Sequence, residues 1–312
     1  MKTKYFGIML LFAASVSLTS CSDDDLDPNS IFSKTEDSTV KSPEYEEFDK
    51  WIMKNYTEPY NIRFQYLYND KETDLSYNVV PAKLPQSKGL AKLVRHMWID
   101  VYAEAVGEEF IKTYTPRTIQ LIGSYEWDTS GSQVLGTAEG GLKVMLYGVN
   151  FLDLDNVRVN TEDPYSNKGA IPLDLNHWFF HTMHHEFCHI LTQKKEYSTD
   201  FRAISAGKYH ATDWINVKDI DSAKEGFVTG YASGEYNEDF AEVYSTYITM
   251  SPKGWQKIID NAGDEGAPII KSKLALVKEY FEQSWNIDLD KLRDIVLAHS
   301  ASAEKLDLHT LD

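Results

Sequence analysis

His185-Glu186-Phe187-Cys188-His189 is the stretch on which the reading of this chain turns. It lies in a segment, Asn176 to Thr192, that also carries Trp178, Phe179, Phe180, Met183, Ile190 and Leu191. That spacing predicts a helix apolar around much of its circumference, and such a helix is buried rather than laid on the surface. Residues four apart share one helix face, so His185 and His189 point the same way, one turn apart. Two imidazoles so placed can hold one tetrahedral zinc ion, and Glu186 beside them can take a proton from water on the metal. Buried ionisable groups need partners or a metal, which favours this reading over a plain core histidine pair.

His177 and His181 extend the ladder of histidines, but each step of four residues turns the side chain about 40° further round the helix. They are read as supports for the pair, not as ligands. His184 points off the ladder, towards packing or solvent. Cys188 fills a slot suited to a small apolar residue and is expected to be inert.

A catalytic zinc has three protein ligands and an open position. A second helix is expected over Asn237 to Met250, with Glu238 and Glu242 on one face. His185-Glu186-x-x-His189 followed by Asn237-Glu238-Asp239-Phe240-Ala241-Glu242 resembles the gluzincin pattern. That resemblance implies Glu238 as the third ligand and Glu242 as a brace on the free ring N–H of a metal histidine. Asp239 is a rival ligand, and so are His210 and Asp213 of Tyr209-His210-Ala211-Thr212-Asp213. The metzincin pattern is excluded, because it needs glycine at 192 and histidine at 195, where this chain has Thr192 and Lys195. The segment is also similar to the zinc helices of thermolysin-type and lethal-factor-type enzymes. In the latter a tyrosine seven residues before the glutamate ligand helps to stabilise the transition state, which implies that role for Tyr231.

The first residues carry a second signal. Lys2 and Lys4 precede an apolar run, Tyr5 to Leu18, too short to span a bilayer. It ends in Leu18-Thr19-Ser20-Cys21, which resembles a bacterial lipobox with Cys21 as the lipidated residue. The acidic Ser22-Asp23-Asp24-Asp25 resembles the export signal of surface lipoproteins. Residues 1–20 are thus expected to be a signal peptide, 21–41 a polar tether, and 42–312 one catalytic domain. With the zinc helices, this leader resembles the zinc-binding metallopeptidase lipoproteins of Bacteroidetes. The resemblance covers mainly residues 176–250 and the leader, and implies peptide-bond hydrolysis with one zinc per chain.

Composition sets the remaining bounds. The net charge of −17 and the absence of a basic run argue against nucleic acid and against an anionic membrane surface. The expected membrane contact is the lipid anchor alone, at the outer membrane of the cell envelope and facing outward. The chain has two cysteines, so lipidation of Cys21 leaves Cys188 without a partner. Strands are expected over Asn61 to Tyr68, Arg117 to Gly123 and Leu142 to Val149, and a long helix over Pro85 to Tyr114. Pro252 onward reads as two or three helices, including Ile269 to Trp285 and Leu289 to Ala298. The fold class is α+β, zincin-like, with a small early sheet and a mainly helical second half. The strand at 142–149 is a candidate edge for an extended peptide substrate. The competing function is a non-catalytic surface lipoprotein that uses a zincin fold to bind a peptide or glycan.

Overall fold

A computed structural model describes residues 42–69, 73, 78–127, 133–134, 136–139 and 142–311. Cys21, the leader and the tether lie outside the described residues. The chain divides into two units, Met1–Glu46 and Glu47–Asp312, and the second holds everything that follows.

A four-stranded sheet has the order β1 (Arg63–Gln65), β2 (Thr118–Leu121), β6 (Lys143–Leu146), β5 (Gly136–Glu139). β1, β2 and β6 run parallel, with Phe64 opposite Ile119 and Ile119 opposite Val144. β5 is antiparallel to β6. Short β3 (Glu126–Trp127) and β4 (Gln133–Val134) form a separate pair. Side chains on both faces of the parallel strands are buried: Ile119, Leu121, Val144 and Leu146 on one, Gln120 and Met145 on the other. A sheet covered on both faces is what parallel pairing requires. The strand expected over 142–149 is therefore present, but it lies between β2 and β5. The edge falls to β5, which packs against the helix bearing His185.

The helix expected over Pro85 to Tyr114 is divided. It runs from Leu84 to Val94, passes through a π turn at Arg95–Ile99, continues over Asp100–Val106 and stops at Gly107. Gly107 has φ +101°, where a side chain is strained, and a new helix starts at Glu108. The C-terminal half is helical, as expected. One helix covers Pro252–Trp285, with a break at Gly263 (φ +64°), and another covers Leu289–Ala303. Ser251 caps the first by accepting from the Gly254 N–H, and Asp288 caps the second by accepting from Asp290 and Lys291.

The histidine helix (His181–Lys194) and the glutamate helix (Tyr236–Thr249) pack against each other in the middle of this helical half. Phe187 fits edge-on against Trp98 and Tyr102, and Tyr244 stacks on Phe281 at 4.3 Å. His184 does not face solvent; it is fully buried. The Tyr102 hydroxyl lies 2.7 Å from His184 Nδ1 and 2.7 Å from the Tyr244 hydroxyl. Burial pushes His184 down to about 3, so the ring is neutral and Nδ1 can accept from Tyr102. Three helices thus meet on one phenol.

Tyr102→Phe leaves both His184 Nδ1 and the Tyr244 hydroxyl buried without this partner. We expect a loss of about 1–3 kcal/mol in unfolding free energy by urea denaturation. Tyr244→Phe keeps the Tyr102–His184 bond and should cost less; an equal or larger loss would refute this order.

Candidate metal centre

Local sequence sets the geometry of the histidine helix. It opens on a π turn at Asn176–Phe180, where the His181 N–H bonds to the Asn176 carbonyl. The turn comes just before the regular helix, so from His181 onward residues four apart lie one turn apart on one face, drifting by about 40° per step. The glutamate helix follows a short 3₁₀ turn at Tyr231–Ser233. Glu238 lies in its first turn and Glu242 one turn later.

Three side-chain atoms converge between the two helices. His185 Nε2 is 2.9 Å from Glu238 Oε2, His189 Nε2 is 3.3 Å from the same oxygen, and the two Nε2 atoms are 3.0 Å apart. Ligands at about 2.0–2.1 Å from a tetrahedral zinc are about 3.3–3.4 Å from each other. The triangle fits such an ion after an expansion of only a few tenths of an ångström, and the donor set, two imidazoles and a carboxylate, suits zinc. Among the described residues these three form a group that can hold a metal, with no fourth ligand in it. His185 is buried, while His189 and Glu238 are partly exposed, so the group opens towards solvent on one side.

Glu242 meets the far side of the same imidazole. Its Oε1 accepts from His185 Nδ1 at 2.8 Å and from His181 Nε2 at 2.9 Å, and the Thr229 hydroxyl donates to Oε2 at 2.6 Å. A proton on Nδ1 leaves Nε2 as the lone-pair nitrogen that faces His189 and Glu238, so the carboxylate sets the tautomer that metal binding needs. His181, His185 and Glu242 are also close enough to hold a cation. That would strip His185 Nδ1 of its proton while Nε2 faces the other group. The short contacts to Glu242 are hydrogen bonds of a brace.

The electrostatics follow from this packing. Burial pushes His185 down, but its bonds to Glu238 and Glu242 outweigh it and raise the ring to about 10. Burial opposes ionisation of Glu238 and Glu242 too, yet the histidines hold both carboxyls below their ordinary range. Glu186, half-buried on the histidine helix, is different. Burial raises its carboxyl despite the opposing pull of His185 and His189, which makes it the most basic carboxylate at the group.

Tyr231 is partly exposed, with its ring 5.7 Å from that of His185. Burial and the negative charge of Glu238 raise its phenol well above the ordinary value, so it keeps its proton. Trp214 packs edge-on against Tyr231 at 4.9 Å. Neither Thr229 nor Trp214 was marked by the sequence pattern. Both act through folding back of distant segments, and the one local hint is the nearness of Thr229 to Tyr231.

The rival ligands are placed elsewhere. Asp239 points away from Glu238 into a buried ion pair with Lys273 at 2.6 Å. His210 pairs with Glu225 at 2.8 Å and lies 3.4 Å from Asp213. Consecutive helical residues diverge by about 100°, so Glu238 and Asp239 cannot both face the histidines. Cys188 is fully buried, and burial raises its thiol.

Comparison with known proteins shows what the chain as a whole is similar to. The model of a family described as "Putative zinc-binding metallo-peptidase" matches residues 41–290. A search of the curated proteins returns no match. Among solved structures, the crystal structure of a "putative zinc-binding metallo-peptidase" from Bacteroides caccae ATCC 43185 is 40% identical to this chain. The match covers 88% of this chain and 98% of that one, with a TM-score of 0.71.

Zinc uptake should expel a proton. His185 is raised to about 10 when metal-free, so it is charged at pH 7 and must lose a proton for Nε2 to bind a metal. Affinity should therefore fall as pH falls, by at most about tenfold per unit. Calorimetry of zinc binding in buffers of different ionisation enthalpy should count about one proton released; a count of zero would refute the protonation scheme. Thr229→Val, which strips a donor from Glu242, should weaken zinc binding by about tenfold or more, and unchanged affinity would remove Thr229 from the brace.

Proposed function

The chain belongs to this zinc-binding metallo-peptidase family, and from that premise we propose that it hydrolyses peptide bonds, with one zinc held by His185, His189 and Glu238. The observation that carries the reading is the convergence of those three ligand atoms within 3.3 Å, with Glu186 on the same helix as the histidines. A bound zinc supplies a Lewis acid that lowers the pKa of water towards about 7. Glu186 takes the proton of the attacking water, for which its raised basicity suits it. It then hands that proton to the leaving amine nitrogen. Tyr231 keeps its hydrogen and can donate it to the oxygen that becomes negative as the carbonyl is attacked. Glu242, anchored by Thr229 and His181, holds the His185 ring in place throughout.

β5 is the edge strand nearest the histidine helix. Its outer backbone groups, unpaired with any described strand, can pair with an extended peptide and lay the scissile bond towards Glu186. A protein or peptide substrate fits this arrangement. A purely binding role gives Glu186 nothing to do, and a structural zinc would want a fourth protein ligand. We place this activity at the cell envelope, on a chain exported by its leader and tethered through lipid on Cys21, a reading supported by Leu18-Thr19-Ser20-Cys21.

Three variants test the chemistry. Glu186→Gln should retain about one zinc per chain by elemental analysis and lose hydrolysis of a peptide library. Tyr231→Phe should keep zinc and lower kcat by about 10²–10³-fold, the usual cost of one oxyanion donor. Activity surviving the first, or full turnover in the second, would refute the role assigned. Cys21→Ala should abolish labelling by radioactive palmitate, and retained labelling would place the lipid elsewhere.

A further inference from the structure

Lys273 and Asp239 form an ion pair of 2.6 Å with both side chains wholly out of solvent. The Lys273 ammonium also donates to the Gly226 carbonyl at 2.8 Å and lies 3.9 Å from the centre of the Phe227 ring. The Tyr209 hydroxyl donates to Asp239 Oδ2 at 3.0 Å. The second carboxylate oxygen, Oδ1, is buried with no hydrogen-bond partner among the described residues.

Such a pair is a poor way to stabilise a core. Taking two charges out of water is costly, and an apolar pair of similar volume often stabilises as well. The unmet Oδ1 adds to that cost. What the pair provides is direction. Asp239 is the neighbour of Glu238, and the bond from Lys273 fixes how the first turn of the glutamate helix is rotated. The same ammonium holds Gly226, the start of the segment that leads through Thr229 to Tyr231. Gly226 has φ +94°, and a Cβ there would come within 2.4 Å of Ile269 on the same long helix as Lys273, so this junction has little freedom to shift. One cation on Pro252–Trp285 thus ties down the residue beside Glu238 and the approach to Thr229 and Tyr231.

We propose that Lys273 and Asp239 are positioning residues for the metal centre, setting where Glu238 meets His185 and His189 and where the segment carrying Thr229 and Tyr231 lies. The inference rests on Glu238 being a metal ligand.

The test replaces the charges and keeps the volume: Asp239→Asn with Lys273→Met in the otherwise intact chain, beside Glu238→Ala. Zinc affinity is read by chelator competition, the coordination geometry by the visible absorption bands of the Co²⁺ form, and the fold by the thermal midpoint of the metal-free chain. The double variant should bind zinc about tenfold more weakly and shift the Co²⁺ bands, while its metal-free midpoint stays close to that of the parent. Unchanged zinc affinity and Co²⁺ bands would overturn the proposal and leave the pair a structural feature. A Glu238→Ala chain that binds zinc as well as the parent would instead bring down the ligand reading, and this inference with it. If the double variant fails to fold, Asp239→Asn with Lys273→Gln leaves no unpaired buried charge, keeps an acceptor for Tyr209 and is judged by the same readings.

Discussion

The hydrogen bond from His185 Nδ1 to Glu242 is the contact on which the rest of the site depends. It joins two helices, chooses the tautomer and aims Nε2 at His189 and Glu238. Its short length requires the helices to pack closely, which they do through Phe187, Tyr102 and Tyr244 on the buried side. A Glu242 carboxylate without its three donors would be an unpaired buried charge, which costs far more than the bonds return. Thr229 and His181 are therefore conditions for the contact, and through them the sites of Tyr231 and the π turn become linked to the ligand set.

The site is most legible in the sequence where chemistry and helical period coincide. His185, Glu186 and His189 follow from spacing alone, and the family likeness carried Glu238, Glu242 and Tyr231. The structure brings His185, His189 and Glu238 within hydrogen-bond distance of one another, with Glu242 on His185 Nδ1 and the Tyr231 ring 5.7 Å from that of His185. The α+β class and the early strands are readable from short runs between helices, whereas their parallel pairing is seen only in the structure. Edge and interior strands are not told apart by pattern, because the run at Leu142 to Val149 looks the same wherever the sheet places it. The division of the helix after Val106 was missed although Gly107 stands in the sequence, since glycine inside a helical pattern is tolerated.

What stayed hidden depends on contacts between distant segments. Nothing in a local window distinguishes Lys273 from the other lysines of its helix, yet it is the one whose charge is wholly buried. Thr229 and Trp214 are equally ordinary by pattern. Asp239 was legible as an acid near the ligand but not as one turned away from it, because choosing between neighbours on a helix needs to know where the partner helix lies.

The two halves of the site are 57 residues apart at their key contact, and this has a consequence in time as well as in space. Neither helix alone can offer three ligands, so a metal ion gains its full binding energy only after the helices have docked. A ligand of that sort does not hasten the search for the native arrangement, which is governed by closing the loop between the helices. It slows escape from it, since the ion must be released before the helices separate. A metal centre of this kind would then act as a latch on the lifetime of the folded chain, set by the release of the ion and not by the speed of folding.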